Sequence, residues 1–112
     1  MYADLFGDTD LRFAESYHSD IDVLFLCVGH GDARKFLERN VFEPHVKIID
    51  LSQDYRLRAN RVYQENEFVY GLPELNREAL RSARYIANPG CFATGIQLAL
   101  LPLAARGLLQ SE

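Results

Sequence analysis

A chain of 112 residues, 48% hydrophobic and 25% charged with a net charge of −4, has room for one domain built on one core. The mildly acidic balance carries no Lys/Arg run, which argues against nucleic acid or an anionic membrane as partner. No apolar stretch reaches the length of a membrane span and no basic-then-hydrophobic leader opens the chain, so a soluble cytoplasmic protein is expected.

The first twenty residues are the least periodic and read as a connecting segment, with Leu11 to Phe13 a short strand. Val23 to Val28 is a continuous apolar run, the mark of a parallel strand buried on both faces. Cys27 lies inside that run and reads as an inert core residue. Gly29-His30-Gly31 is the turn that follows, and Asp32 is placed to cap a helix reaching about Asn40 with Ala33, Phe36 and Leu37 inward. Pro44 resets the chain before a second strand, Val46 to Leu51. The polar cluster Asp50 to Arg56 then carries Ser52 and Asp54, both good turn caps. A short strand at Phe68 to Tyr70 and a helix from Asn76 to about Ser82 lead to a third strand, Tyr85 to Ala87. The last helix runs from about Thr94 to Gly107, kinked near Pro102 and ended by Gly107.

Strand alternating with helix gives an α/β unit with a parallel sheet of about three strands and right-handed crossovers. No repeat or flexible linker interrupts it, so residues 1–112 read as a single domain. The loops Gly29–Asp32, Asp50–Arg56 and Asn88–Cys91 each follow a strand, so all three gather at the carboxyl edge, where open α/β sheets bind ligands.

Asn88-Pro89-Gly90-Cys91 places a thiol on a sharp turn at the mouth of a helix. Pro89 biases Asn88 to extended backbone and Gly90 gives access to dihedrals closed to other residues. Free N–H groups and the helix dipole at such a position favour an anion, which makes a thiol into a nucleophile. A small buried Cys in a tight turn is the competing reading. Elsewhere the signals are weaker. Two glycines around His30 suit either close ligand approach or a plain turn, and His30 itself reads more simply as a surface loop residue than as a base. The side chains of Ser52, Asp54 and Arg56 are more than a connection needs. His18, His30 and His45 show no metal-ligand spacing, two cysteines make no disulfide framework, and no metal is expected. No G-x-G-x-x-G turn for a pyrophosphate is present.

Three motifs in order, Asp50-Leu-Ser-Gln-Asp-Tyr-Arg-Leu57, Tyr70-Gly-Leu-Pro-Glu74 and Asn88-Pro-Gly-Cys-Phe-Ala-Thr-Gly95, resemble the N-acetyl-gamma-glutamyl-phosphate reductase family. Gly29-His30-Gly31 after the buried strand adds to the match. The related aspartate-semialdehyde dehydrogenases are less similar around Ser52–Arg56 and Tyr70–Glu74. The resemblance implies the second half of a Rossmann-like NADP-binding domain within a larger two-domain enzyme of arginine biosynthesis. It implies Cys91 as the nucleophile toward a small acyl-phosphate substrate, with a thioester that NADPH reduces to the semialdehyde. Gly29, His30, Gly31 and Ser52 would then line the cofactor. Asp54, Arg56, Glu74 and Asn88 would serve the substrate entrance and the active-site loop, Arg56 as an anion contact. The acid/base histidine and the glycine-rich phosphate turn are expected outside this chain, which alone is expected to be inactive. The intact enzyme is expected to be a homo-oligomer, and the isolated piece to self-associate through an exposed sheet edge. Another semialdehyde dehydrogenase and a non-catalytic α/β binding module are the alternatives.

Overall fold

A computed structural model describes Gly7 and residues 12–109 of the chain. Nine elements follow in order: β1 (Val23–Leu26), α1 (Asp32–Arg39), β2 (Lys47–Asp50), β3 (Val62–Tyr63), β4 (Asn66–Glu67), β5 (Val69–Tyr70), α2 (Pro73–Ser82), β6 (Tyr85–Ala87) and α3 (Cys91–Ala105). Residue 11 of the strand expected near the start lies outside the described residues, and Arg12 and Phe13 carry no regular structure.

The main sheet has four strands in the order β1-β2-β6-β5, every neighbouring pair parallel. One more strand joins than the apolar runs announce, because β5 contributes only two residues and borrows its place from β6. The unit is a Rossmann-like α/β arrangement. β3 and β4 form a separate antiparallel hairpin that the sequence does not signal. Its turn carries Gln64 at φ 53 rather than the Asn-Gly or Gly-X pair that normally marks such a connection. Register sets the functional geometry. Leu26 pairs with Asp50, Asp50 with Ala87, and Ala87 with Tyr70, so all four strands end on one row and their loops share one edge.

Alternation along the strands divides the sheet into two unlike faces. Leu26, Ile48, Tyr85 and Ala87 point to one side, where they are buried with Ala33 and Leu37 of α1 and with Tyr55, Tyr63 and Phe68. Tyr55 stacks on Phe68 with centroids 4.0 Å apart and planes 6° from parallel. Leu24 and Phe36 pack against the rim of this cluster. On the other side Val23 is 42% exposed and Phe25 59% exposed. The expectation that this strand is covered on both faces is therefore corrected, because the apolar run is satisfied on one face only. Cys27 is corrected with it: the strand ends at Leu26 and the thiol is exposed.

The N-cap of α2 is Leu72, four residues before Asn76, the cap expected from the sequence; Pro73 lies in the first turn, and the helix leaves helical geometry at Asn76 (φ −127, ψ 26). The Asn76 amide there donates to Tyr70 O at 2.8 Å. α3 begins at Cys91, continues through Pro102 and buries no residue. Its end is closed as expected by Gly107 at φ 68. The amides of Gly107 and Leu108 return to Ala104 O and Leu103 O, both at 3.0 Å, the paired bonds of a Schellman turn.

Candidate functional site

At the carboxyl edge, the end of β2 builds a small polar scaffold. Asp50, fully buried, accepts from Ser52 N at 2.9 Å and from Ser52 Oγ at 2.8 Å. Burial pushes the Asp50 carboxyl above its ordinary range, and the two bonds from Ser52 work against that rise. Ser52 Oγ in turn accepts from Asp54 N at 3.0 Å. Ser52, expected at the cofactor, is only 1% exposed and has its hydroxyl committed in both directions, so it holds the loop rather than facing a ligand.

That loop reaches two helix mouths. Toward α1, Asp54 accepts from Gly31 N at 2.6 Å, Ala33 N at 3.1 Å and Arg34 N at 3.3 Å. Asp32, the residue expected to cap α1, lies inside the first turn and pairs with Lys35 at 2.9 Å instead. The N-cap position belongs to Gly31, whose φ of 87 is open to glycine without strain. His30 is exposed, and its Nδ1 accepts from Gln53 N at 3.2 Å. Gly29, His30 and Gly31 thus form an exposed loop tied down by Gln53 and Asp54.

Toward α3, Arg56 Nε donates to Asn88 O at 2.8 Å and Nη2 to Leu51 O at 2.7 Å. The guanidinium therefore ties the β2 loop to the turn before Cys91. Among the described residues Arg56 forms no ion pair. Asn88 N extends the ladder to Asp50 O at 2.8 Å, and its side-chain amide donates to Pro89 O at 3.2 Å. Gly90 has ordinary extended dihedrals (φ −72, ψ 149), which corrects the reason for a glycine there. A Cβ at Gly90 would lie 3.1 Å from Arg56 Nη1, so the guanidinium would have to shift by a few tenths of an ångström to admit a side chain there.

Cys91 is the first residue of α3, exposed, and no side chain caps that helix start. Thr94 N makes the first helical bond to Gly90 O at 2.9 Å. Beside the thiol lies an open, mainly apolar surface formed with Phe92, Gly95 and Ile96. A second, larger cavity of about 540 Å³ is lined by Gly31, Arg34, Gln53, Asp54, Arg56, Leu57 and Asn60.

The motif Tyr70–Glu74 meets the site through a residue that sequence reasoning passed over. Gly71 N donates to Ala87 O at 2.8 Å, and a Cβ at Gly71 would meet Ile86 Cγ2 at 3.0 Å and Ala87 O at 3.1 Å. A glycine directly after a strand end was the available signal. Glu74, expected to support the active-site loop, is exposed in the first turn of α2 and makes no hydrogen bond among the described residues. Among those residues no group of three or more His, Cys, Asp or Glu could hold a metal, and no helix is long and apolar enough to cross a membrane.

Comparison with known proteins gives the arrangement a family context. A family model described as semialdehyde dehydrogenase, NAD binding domain, matches residues 2–83. N-acetyl-gamma-glutamyl-phosphate reductase of Azobacteroides pseudotrichonymphae genomovar. CFP2 is 56% identical over the whole chain and 34% of its own length. The proteins of the same name from Christiangramia forsetii and Parabacteroides distasonis are 49% and 52% identical, again over the whole chain and 34% of their length. The chain thus spans about a third of the length of the curated relatives it matches. The family match ends before Asn88, whereas the alignments to these relatives include the Cys91 turn.

Proposed function

The chain belongs to the semialdehyde dehydrogenase family through its NAD-binding domain, and from that premise we propose that it is the nucleophile-bearing part of an N-acetyl-gamma-glutamyl-phosphate reductase. The single observation that carries this reading is Cys91: an exposed thiol at the uncapped start of a fifteen-residue helix, on the ligand-binding edge of a parallel sheet. In this reading the chain is one partial NAD(P)-binding domain, the substrate is a small acyl phosphate, and the cofactor is NADP.

The residues present suit the nicotinamide end of a dinucleotide better than its phosphates. The Gly29–Gly31 loop carries one side chain, His30, and leaves open space beside Gly31. At the mouth of α1 the N–H groups of Gly31, Ala33 and Arg34 are already taken by Asp54 and are not free for a phosphate. When bound, the cofactor supplies the hydride that reduces the acyl group.

Chemistry at this chain then starts with the Cys91 thiolate attacking the acyl carbon. The C–O bond to phosphate breaks, inorganic phosphate leaves and a thioester forms on Sγ. Reduction of that thioester by the cofactor would leave a thiohemiacetal oxyanion still bonded to Cys91 Sγ. Its collapse breaks the C–S bond, releases the semialdehyde and restores the thiolate. The unclaimed N–H groups of the first turn of α3 are the donors at hand for both negative charges, on sulfur and on oxygen. Arg56 holds the Asn88–Gly90 turn and keeps Nη1 for an anionic substrate group. Ser52 and Asp50 brace the loop from below. His30 belongs to the cofactor side, and the acid/base group is supplied by another part of the enzyme.

Cys91→Ala and Cys91→Ser in the enzyme that carries this segment are expected to lower acyl-phosphate reduction by at least about 10³-fold, read as NADPH consumption. Turnover retained within tenfold in either variant would overturn the mechanism.

A further inference from the structure

We propose that Asp54 is a positioning residue: its carboxylate is an internal anion seated in the mouth of α1, which fixes the Gly29–Gly31 connection and occupies the N–H groups that a phosphate would otherwise use there. The proposal rests on the cofactor role of that loop in the reading above. Three backbone N–H groups converge on the Asp54 carboxylate from a point 20 to 23 residues earlier in the chain, at 2.6, 3.1 and 3.3 Å. α1 has no cap of its own, since Gly31 has no side chain and Asp32 is turned to Lys35.

The carboxylate is held ready before any ligand arrives. Asp54 N donates to Ser52 Oγ, and Ser52 donates twice to the buried Asp50, so the anion is tethered to the end of β2. An external phosphate competing for the same N–H groups faces a rival whose binding is intramolecular and already oriented. Gly31 N is one of the three donors, and Gln53 N, next to Asp54, binds His30. One loop therefore sets both ends of Gly29-His30-Gly31. The N–H groups of a helix start, which in some folds receive a bound phosphate, are taken here by a carboxylate of the chain itself.

The test uses the complete enzyme with Asp54→Asn, which keeps the shape without the charge, and Asp54→Gly, which empties the position. Dinucleotide affinity is read by fluorescence titration of NADPH, kcat separately, and thermal midpoint with and without sodium formate as a replacement carboxylate. Both variants are expected to bind NADPH about tenfold more weakly, with kcat at saturation within about threefold of wild type. Asp54→Gly is expected to gain several degrees of thermal midpoint from formate, and the wild type to gain none. If Asp54→Gly fails to fold, Asp54→Ser carries the formate measurement. NADPH affinity unchanged in both variants, or equal stabilisation of wild type and variant by formate, would overturn the proposal. Formate rescue reads no turnover, so loss of the Cys91 mechanism and loss of this proposal are separable.

Discussion

Two helices start at the same sheet edge, and their mouths are furnished in opposite ways. At α1 a carboxylate from the β2 loop takes three N–H groups, and the neighbouring thiol, Cys27, stands outside the helix on the end of β1. At α3 no side chain caps the start, and the thiol is the first helical residue. The dipole and the free amides are the same physical resource in both places. One end spends it on holding the fold; the other leaves it unclaimed by any side chain, where the proposed mechanism uses it. The helices differ in their burial as well. α1 anchors the core through Ala33 and Leu37, whereas α3 presents Phe92, Ile96, Leu98, Leu100 and Leu103 to solvent.

The sharpest way to break that contrast, after removal of the thiol itself, is to cut the strap between the two mouths. Arg56→Ala deletes the bonds to Asn88 O and Leu51 O and frees the turn that aims Cys91. Activity is expected to fall about 10- to 100-fold, with a stability loss of about 1–2 kcal/mol because water reaches these partly exposed carbonyls. Arg56→Lys should not restore it, since one ammonium cannot copy a planar fork spanning two carbonyls. Activity at wild-type level in Arg56→Ala would show that the strap is dispensable.

Next in size is the scaffold between the mouths. Asp50 has a raised pKa because burial penalises its charge. A group of this kind lends stability that is fully present below its unfolded pKa and lost as pH rises through the folded one. Asp50→Asn removes this titration, so its destabilisation relative to wild type should be larger at acidic pH than at neutral pH. Urea titrations at several pH values read this directly, and a difference independent of pH would contradict it.

The smallest effect belongs to Tyr55, between Asp54 and Arg56. Its buried hydroxyl has no partner among the described residues, and burial pushes its pKa up to about 12. The stability it lends by staying neutral is therefore present below pH 10.0 and lost as pH climbs toward about 12. Tyr55→Phe keeps the stack on Phe68 and removes the orphan donor, so it is expected to be neutral or stabilising by about 1 kcal/mol at pH 7. It should also delay alkaline unfolding, a shift that absorbance and circular dichroism can follow together.

Sequence made some of this legible for reasons that are local. β6 is bounded as its apolar run indicates, and the Gly107 cap is written in one residue. The gathering of the three loops at one edge follows from parallel strands alone. What stayed hidden depends on distant partners. β5 shows as the short stretch expected at Phe68 to Tyr70, but its place beside β6 does not, and the exposure of Phe25 depends on which layers cover the sheet. Asp54 looks like a turn residue until α1 is brought to it, and Gly90 looks like a conformational need until Arg56 arrives. The apolar run of α3 fixes its helical type but not what lies against it, and the isolated chain is expected to self-associate, visible by light scattering as mass rising with concentration.

Cys27 and Cys91 offer an internal comparison, because both thiols are exposed and access does not separate them. Competitive alkylation by iodoacetamide at pH 7, read peptide by peptide in a mass spectrometer, measures what the helix start adds. Modification of Cys91 at least about tenfold faster than Cys27 is the expected result. Equal rates for the two would contradict the proposed role of Cys91 as the nucleophile.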